Sequence, residues 1–190
     1  DAHMFFKTAT YNADTYNFMV SFLEQMRLTQ NTNGCVATFA PNNSSLVGNA
    51  ASAGWGDAAV ILPWYLYTEY GSRDVLNEYY DMMVGWTNYQ ISQTTFATDG
   101  KYILPTCTYG DWLSIGETSP KDVVATQFLI YTLSLMEKTA TVLNKTADAE
   151  KYAALTEAAK EDFIKTYVSD GRITGDTQTT YVLALRFDID

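Results

Sequence analysis

The fold is decided by residues 54–62, GWGDAAVIL, in which a short glycine-flanked loop leads into a helix of small and apolar residues. A surface helix carries polar residues on one side, but this segment has none after Asp57, so we expect its helix to be buried on most sides. The Gly-Asp step recurs at residues 110–111 and 175–176, and we interpret Asp1 as the end of another. Successive aspartates are 56, 54 and 65 positions apart, which indicates a repeated unit.

Between these steps the spacing of apolar residues is helical. We predict helices over residues 2–11, 16–26, 57–70, 75–86, 119–143 and 147–167. Asp14 and Ser119 are the expected N-caps of the second and fifth of these helices. Pro63 is expected to kink the third helix or to delay its start.

The pattern predicts an all-α fold of helical hairpins, each with a buried inner helix and an amphipathic outer helix. Units of this length favour part of an (α/α)6 toroid over an open α-solenoid, whose repeats usually run 33–47 residues. Asn-Gly and Asp-Gly turns, which tolerate positive φ, separate the units at residues 33–34, 99–100 and 170–171. A short β-like piece is expected after each turn, at residues 35–36, 101–103 and 172–173.

Composition and motif content argue against several classes of binding partner. The formal net charge is −10, from 12 basic and 22 acidic residues, and a nucleic-acid-binding protein needs a basic face, so we expect no nucleic-acid partner. Apolar runs are too short for a membrane-spanning helix, so no membrane partner is expected either. The sequence carries no phosphate-binding glycine loop, and a lone histidine, His3, does not make a metal site. We therefore expect no cofactor and no metal.

Two further features concern the context of the chain. Cys35 and Cys107 have neither metal-binding nor redox spacing, and we predict two buried free thiols, although the sequence alone does not decide whether they pair. The chain begins at Asp1 and stops at Asp190 within an apolar pattern, so both ends are expected to be cuts through a larger protein.

The Gly-Asp aspartates are the first candidate functional residues. If the steps begin inner helices, Asp1, Asp57, Asp111 and Asp176 project from one end of the toroid, where several carboxylates could act on a glycosidic bond. The alternative is that each aspartate only caps a helix.

Tryptophans sharpen this prediction. Trp55 and Trp112 flank two of the aspartates, and an indole beside a carboxylate suits a sugar, whose C–H face packs on the ring while its hydroxyls donate to the acid. Trp64 and Trp86 lie at helical spacing among apolar residues and are expected to belong to the core.

Four motifs occur in the order of a known family. The sequences DAH at 1–3, GWGDAAV at 54–60, GDWL at 110–113 and DTQT at 176–179 resemble the catalytic (α/α)6 domain of the inverting bacterial α-L-rhamnosidases, glycoside hydrolase family 78. The resemblance covers nearly the whole chain, residues 1–190, as a partial catalytic domain. It implies a bacterial source but does not decide between a cytoplasmic and an exported protein.

The resemblance also implies roles for single residues. The general-acid glutamate would precede Asp1 and the general-base glutamate would follow Asp190, so no catalytic residue is expected within the chain. Asp1 would bind rhamnose through a hydrogen bond, and Trp55 and Trp112 would form the pocket wall. Asp57 and Asp111 are weaker substrate-binding candidates.

The function implied is removal of terminal α-L-rhamnose from rhamnosides with inversion, by an acid and a base held about 6.5–9.5 Å apart. The expected partners are a carbohydrate substrate and the rest of the catalytic domain, and the isolated chain is expected to be inactive. The alternatives are another toroidal glycosidase, a polysaccharide lyase, or a non-catalytic helical repeat that binds a protein.

Overall fold

Helices make up most of the protein in this computed structural model, which describes residues 1–42, 51–105 and 109–189. The helices are α1 (Ala2–Thr10), α2 (Tyr16–Thr29), α3 (Ala58–Tyr70), α4 (Arg73–Ser92), α5 (Phe96–Asp99), α6 (Lys121–Val142), α7 (Thr146–Tyr167) and α8 (Gln178–Phe187). A two-stranded antiparallel sheet, β1 (Val168–Ser169) and β2 (Arg172–Ile173), pairs Val168 with Ile173.

The helices form hairpins, as the sequence predicts. Gly71, in the left-handed conformation at φ 71°, ends α3 and turns the chain into α4. The pair α6 and α7 is antiparallel, because the Tyr167 hydroxyl at the end of α7 donates a hydrogen bond to Asp122 Oδ2 at the start of α6, at 2.9 Å. Neighbouring hairpins pack through their first helices, with α1 on α3, α3 on α6 and α6 on α8. The architecture is therefore part of an (α/α) toroid in which α1, α3, α6 and α8 are the inner helices.

Burial separates inner from outer helices. In α3 every residue from Ala58 to Pro63 is buried, and α6 is buried around most of its circumference. The outer helix α7 instead buries one stripe, formed by Tyr152, Thr156, Ala159, Phe163 and Tyr167. This difference confirms the predicted division between buried and amphipathic partners.

Tryptophan placement in the core agrees with the sequence. Trp86 is 1% exposed and belongs to the central core cluster, and Trp64 is partly buried against that cluster. None of the helices in the described part of the chain is both long and apolar enough to cross a membrane. Cys35 is buried, whereas Cys107 lies outside the described residues, so their predicted state remains a prediction.

Two predicted β-like pieces are wrong. Residues 35–36 and 101–103 have no regular secondary structure, and only residues 172–173 form a strand. Near the second piece the backbone bonds to side chains of the helices, since Tyr102 N donates to Asp162 Oδ2 at 2.7 Å. Such bonds replace the strand partner that a ladder would need.

The helix starts also differ from the sequence expectation. Thr15 is the N-cap of α2, although the neighbouring Asp14 still accepts a bond from Tyr16 N at 3.1 Å. Pro120 is the N-cap of α6, and Ser119 bonds to other side chains instead. Pro63 lies inside α3, which begins at Ala58, so the delayed start is wrong.

Candidate functional site

The loop before α3 is built by a tight turn against α4. Gly54 has a φ of +83°, and both Trp55 N and Gly56 N donate to Ser52 O, at 3.1 and 2.9 Å. A Cβ atom on Gly56 would overlap the indole ring of Trp86. Local geometry therefore requires glycine at positions 54 and 56, and this loop holds Trp55 just before an inner helix.

Asp57 fixes this loop to the rest of the protein through hydrogen bonds. It is 0% exposed, and its Oδ2 accepts from Gly54 N at 2.6 Å. Its Oδ1 accepts from Trp86 Nε1 at 2.9 Å, from Gln90 Nε2 at 2.8 Å and from Thr132 Oγ1 at 2.7 Å. These four donors match the acceptor capacity of an ionised carboxylate. Burial raises the pKa of Asp57, and the hydrogen bonds oppose that rise.

This position corrects one sequence prediction. Asp57 was a candidate for contact with substrate, but it has no solvent-accessible surface and every partner is a group of the protein. The capping alternative does not describe it either, because α3 has no side-chain cap bond. Asp57 connects the Trp55 loop to α4 and α6.

Aromatic contacts bring the two candidate tryptophans together. The ring centroids of Trp55 and Tyr109 are 4.7 Å apart, and those of Tyr109 and Trp112 are 5.6 Å apart in an edge-to-face arrangement. Trp55 is half-buried and Trp112 is 61% exposed, so the second indole offers a face to solvent. Sequence reasoning missed Tyr109; its place directly before the Gly110-Asp111 step was the only signal.

Asp1 lies beside the same loop. A cavity of about 40 Å³ has both Asp1 and Trp55 in its wall, together with Phe22, Met26 and Phe39. Such a volume holds a water-sized group, so a sugar ring could sit only at its mouth. The starts of α1 and α3 therefore lie at one end of the assembly, and the rings of Tyr109 and Trp112 extend this rim toward α6.

His3 contributes to this cavity from α1. It is 5% exposed, and burial is the largest cause that lowers its pKa to about 4, so the imidazole is neutral near pH 7. Its Nε2 is buried without a hydrogen-bond partner in the described part of the protein.

Asp111 and Asp176 occupy the α8 side of the rim. Asp111 is half-buried, and its Oδ2 accepts from Ser119 Oγ at 2.9 Å. Asp176 is exposed and is paired with Arg172 at 2.7 Å and with the Tyr181 hydroxyl at 2.5 Å. These bonds, the one from Tyr181 first, lower the pKa of Asp176, which fits an ion pair better than an acid or base.

The rim thus contains Asp1, Trp55, Tyr109, Trp112 and Asp111, an arrangement of indoles and carboxylates that can bind a polyol through its C–H face and its hydroxyls. Within residues 1–42, 51–105 and 109–189, no group of three or more His, Cys, Asp or Glu side chains could hold a metal ion.

Comparison with known proteins places this geometry in context. A family model described as the bacterial alpha-L-rhamnosidase 6 hairpin glycosidase domain matches residues 1–190. An alpha-L-rhamnosidase of Streptomyces avermitilis is 37% identical over 190 residues, which is 100% of this chain and 18% of the relative. The chain therefore spans about a fifth of the length of the curated relatives that it matches.

Solved structures agree with the sequence comparison. The crystal structure of the Streptomyces avermitilis alpha-L-rhamnosidase complexed with L-rhamnose has a TM-score of 0.83 at 35% identity, covering 93% of this chain and 16% of that one. The native alpha-L-rhamnosidase of Aspergillus terreus has a TM-score of 0.88 at 27% identity, covering 99% of this chain and 22% of that one.

Proposed function

This chain belongs to the bacterial α-L-rhamnosidase family of six-hairpin glycosidase domains, and we propose that the protein containing it removes terminal α-L-rhamnose from rhamnosides with inversion of configuration. Residues 1–190 are then part of one catalytic domain, and their role is to hold the sugar. The observation that carries the proposal is the rim on which Asp1 and Trp55 share a cavity and Trp55, Tyr109 and Trp112 are in contact.

In this mechanism the chain supplies binding rather than proton transfer. A general acid protonates the leaving oxygen while a general base activates a water on the opposite face, and the two carboxyl groups are about 6.5–9.5 Å apart. We assign both to the rest of the catalytic domain. Asp1 accepts a hydrogen bond from a sugar hydroxyl, and the indoles of Trp55 and Trp112 cover apolar C–H surface.

The small cavity beside Asp1 fits a deoxy sugar. Its volume is about 40 Å³, and Phe22, Met26 and Phe39 in its wall are apolar. A methyl group on a sugar ring is small and apolar. Its transfer from water into this cavity would stabilise binding by about 1 kcal/mol.

The test is substitution of Trp55 in the full-length protein. Trp55→Ala should lower kcat/KM for an aryl α-L-rhamnoside about tenfold or more, because it removes roughly 1.5–3 kcal/mol of ring contact with the sugar. Trp64→Ala is the matched control, since Trp64 is also half-buried but lies farther along α3 and away from the rim.

Three results would contradict the proposal. One is equal activity losses in the two tryptophan variants. Another is an initial product, followed by NMR, that has the anomeric configuration of the substrate. The third is hydrolysis of other aryl glycosides, or elimination from a polysaccharide, with no action on rhamnosides.

A further inference from the structure

The buried carboxylate of Asp57 has no cationic partner in the described part of the chain. All four of its hydrogen-bond donors are uncharged groups. Such a carboxylate loses its hydration on folding at a cost of several kcal/mol, and an apolar side chain of similar size often fills a core at a lower cost. Core packing alone therefore does not explain an aspartate at this position.

The two oxygens of Asp57 bond to different parts of the structure. Oδ2 accepts from Gly54 N at 2.6 Å, in the loop before α3. Oδ1 accepts from Trp86 and Gln90 of α4 and from Thr132 of α6, at 2.7–2.9 Å. One side chain thus joins the loop to two helices, which an apolar residue could not do.

The backbone hydrogen bonds of the loop itself are local. Trp55 N and Gly56 N both donate to Ser52 O, and Ala58 N donates to Trp55 O at 3.2 Å. These bonds shape the turn, but they join neighbours in the sequence and do not fix it against α4 or α6. Gly56 also packs closely against the indole ring of Trp86. The loop therefore meets α4 through this packing contact and through the buried carboxylate.

The position of the Trp55 ring follows from that of the loop. Trp55 lies between Gly54 and Gly56, and glycine gives the backbone more conformational freedom than any other residue. Without the bond from Gly54 N to Asp57, the loop could adopt conformations that the folded protein now excludes. The indole would then leave its place in the wall of the cavity that it shares with Asp1.

We propose that Asp57 is a positioning residue for sugar binding: it does not touch the substrate, and it holds the indole of Trp55 where the ring contacts the sugar. The proposal rests on the proposed rhamnosidase function. A ring displaced by about 0.5–1 Å loses about a quarter to a half of its dispersion attraction to the ligand. Because the bound sugar and the transition state share this contact, its loss raises KM and leaves kcat nearly unchanged.

The experiment is a double-mutant cycle in the full-length protein. Asp57→Asn, Trp55→Ala and their combination are compared with the wild type by KM and kcat for 4-nitrophenyl α-L-rhamnoside and by the inhibition constant of L-rhamnose. Asp148→Asn is the matched control, because Asp148 also accepts a hydrogen bond between two helices, from the Tyr80 hydroxyl at 2.8 Å. It lies in the first turn of α7, at the end of the α6–α7 hairpin away from the rim.

A second variant makes the cycle independent of whether Asp57→Asn folds. Trp86→Phe removes the N–H that Asp57 accepts and leaves a gap beneath Gly56, so it should loosen the same loop. Its cycle with Trp55→Ala has the same expected outcome.

Asp57→Asn should raise KM and the inhibition constant of L-rhamnose about fivefold, with kcat unchanged within about twofold. In the Trp55→Ala background it should change the inhibition constant less than about 1.5-fold, because a residue that acts through the indole has no effect once the indole is absent. Asp148→Asn should change neither constant. Loss of stability alone would instead reduce the folded fraction, which lowers the apparent kcat and leaves the inhibition constant as it was.

Two results would overturn the inference while rhamnosidase activity stands. One is a lowered kcat with an unchanged inhibition constant in Asp57→Asn, and the other is a fivefold effect of Asp57→Asn that persists in the Trp55→Ala background. Wild-type protein that does not act on the rhamnoside would refute the proposed function, and this inference with it.

Discussion

Asp57→Asn is the most informative perturbation of the buried network, because it preserves shape while it changes one oxygen into a donor. In the best orientation the new amide oxygen keeps the bonds from Trp86, Gln90 and Thr132, and the new NH₂ group faces Gly54 N–H. One bond is then replaced by two opposed donors, at about 1–3 kcal/mol. The three remaining bonds lose the strengthening that an ionised acceptor provides.

Loss of charge assistance weakens the three retained bonds by about 1 kcal/mol each, and the opposed donors add their own cost. Relief from burying a charge offsets part of this sum, so the free energy of unfolding should fall by about 3 kcal/mol. Urea unfolding of the full-length protein at pH 7, followed by tryptophan fluorescence, measures it. Thr132→Val, which removes a single donor, should lose about 1–2 kcal/mol and provides a graded comparison. A loss below about 0.5 kcal/mol for Asp57→Asn would refute the reasoning.

Two further predictions concern a glycine and a histidine. Gly34→Ala should reduce the free energy of unfolding by at least about 2 kcal/mol more than Gly100→Ala. Both glycines have positive φ, but only at Gly34 would a Cβ atom overlap the Gly85 carbonyl. Equal losses of the two variants in denaturant titrations would contradict this prediction. His3, with its pKa lowered to about 4, stays neutral in the folded state while the unfolded chain gains a proton below pH 6.5, so stability should fall from pH 6.5 toward 4, by up to about 3 kcal/mol. His3→Gln should flatten this dependence in unfolding titrations across that range, and an unchanged slope would oppose the assignment.

Helix positions were largely predictable because the inner and outer helices differ in the pattern of their apolar residues. The segment after Asp57 is apolar on every side and is buried in α3, and residues 147–167 show the single stripe that α7 buries. The chain reversals were equally clear, since Gly34, Gly100 and Gly171 all have positive φ.

Tertiary partners were not predictable from local pattern. Ser119 followed by proline is typical of a helix N-cap, but its hydroxyl bonds to Asp111 and Thr177 instead. These partners are 8 and 58 positions away in the sequence. Residues 101–103 have the composition of a strand, but Asp162 of α7 takes the N–H of Tyr102. At such positions tertiary contacts override the local secondary-structure propensity.

The candidate site was predicted in part for the same reason. Position in the repeat indicated that Trp55 and Trp112 share a rim, and their common contact with Tyr109 agrees with it. The repeat predicted the same role for Asp57 and Asp111, although Asp57 is fully buried and Asp111 borders a cleft. That distinction depends on Trp86 and Thr132, which approach Asp57 only in the folded chain.

The bonds to Asp57 also have a kinetic consequence. Its partners Trp86, Gln90 and Thr132 are 29, 33 and 75 positions further along the chain. Closing these loops costs conformational entropy, and the chain must lose that entropy before the carboxylate can exchange water for protein donors. The network therefore forms late in folding, after α3, α4 and α6 have docked. Substitution of Asp57 should then accelerate unfolding and leave the refolding rate nearly unchanged, which makes this residue a determinant of the lifetime of the native state.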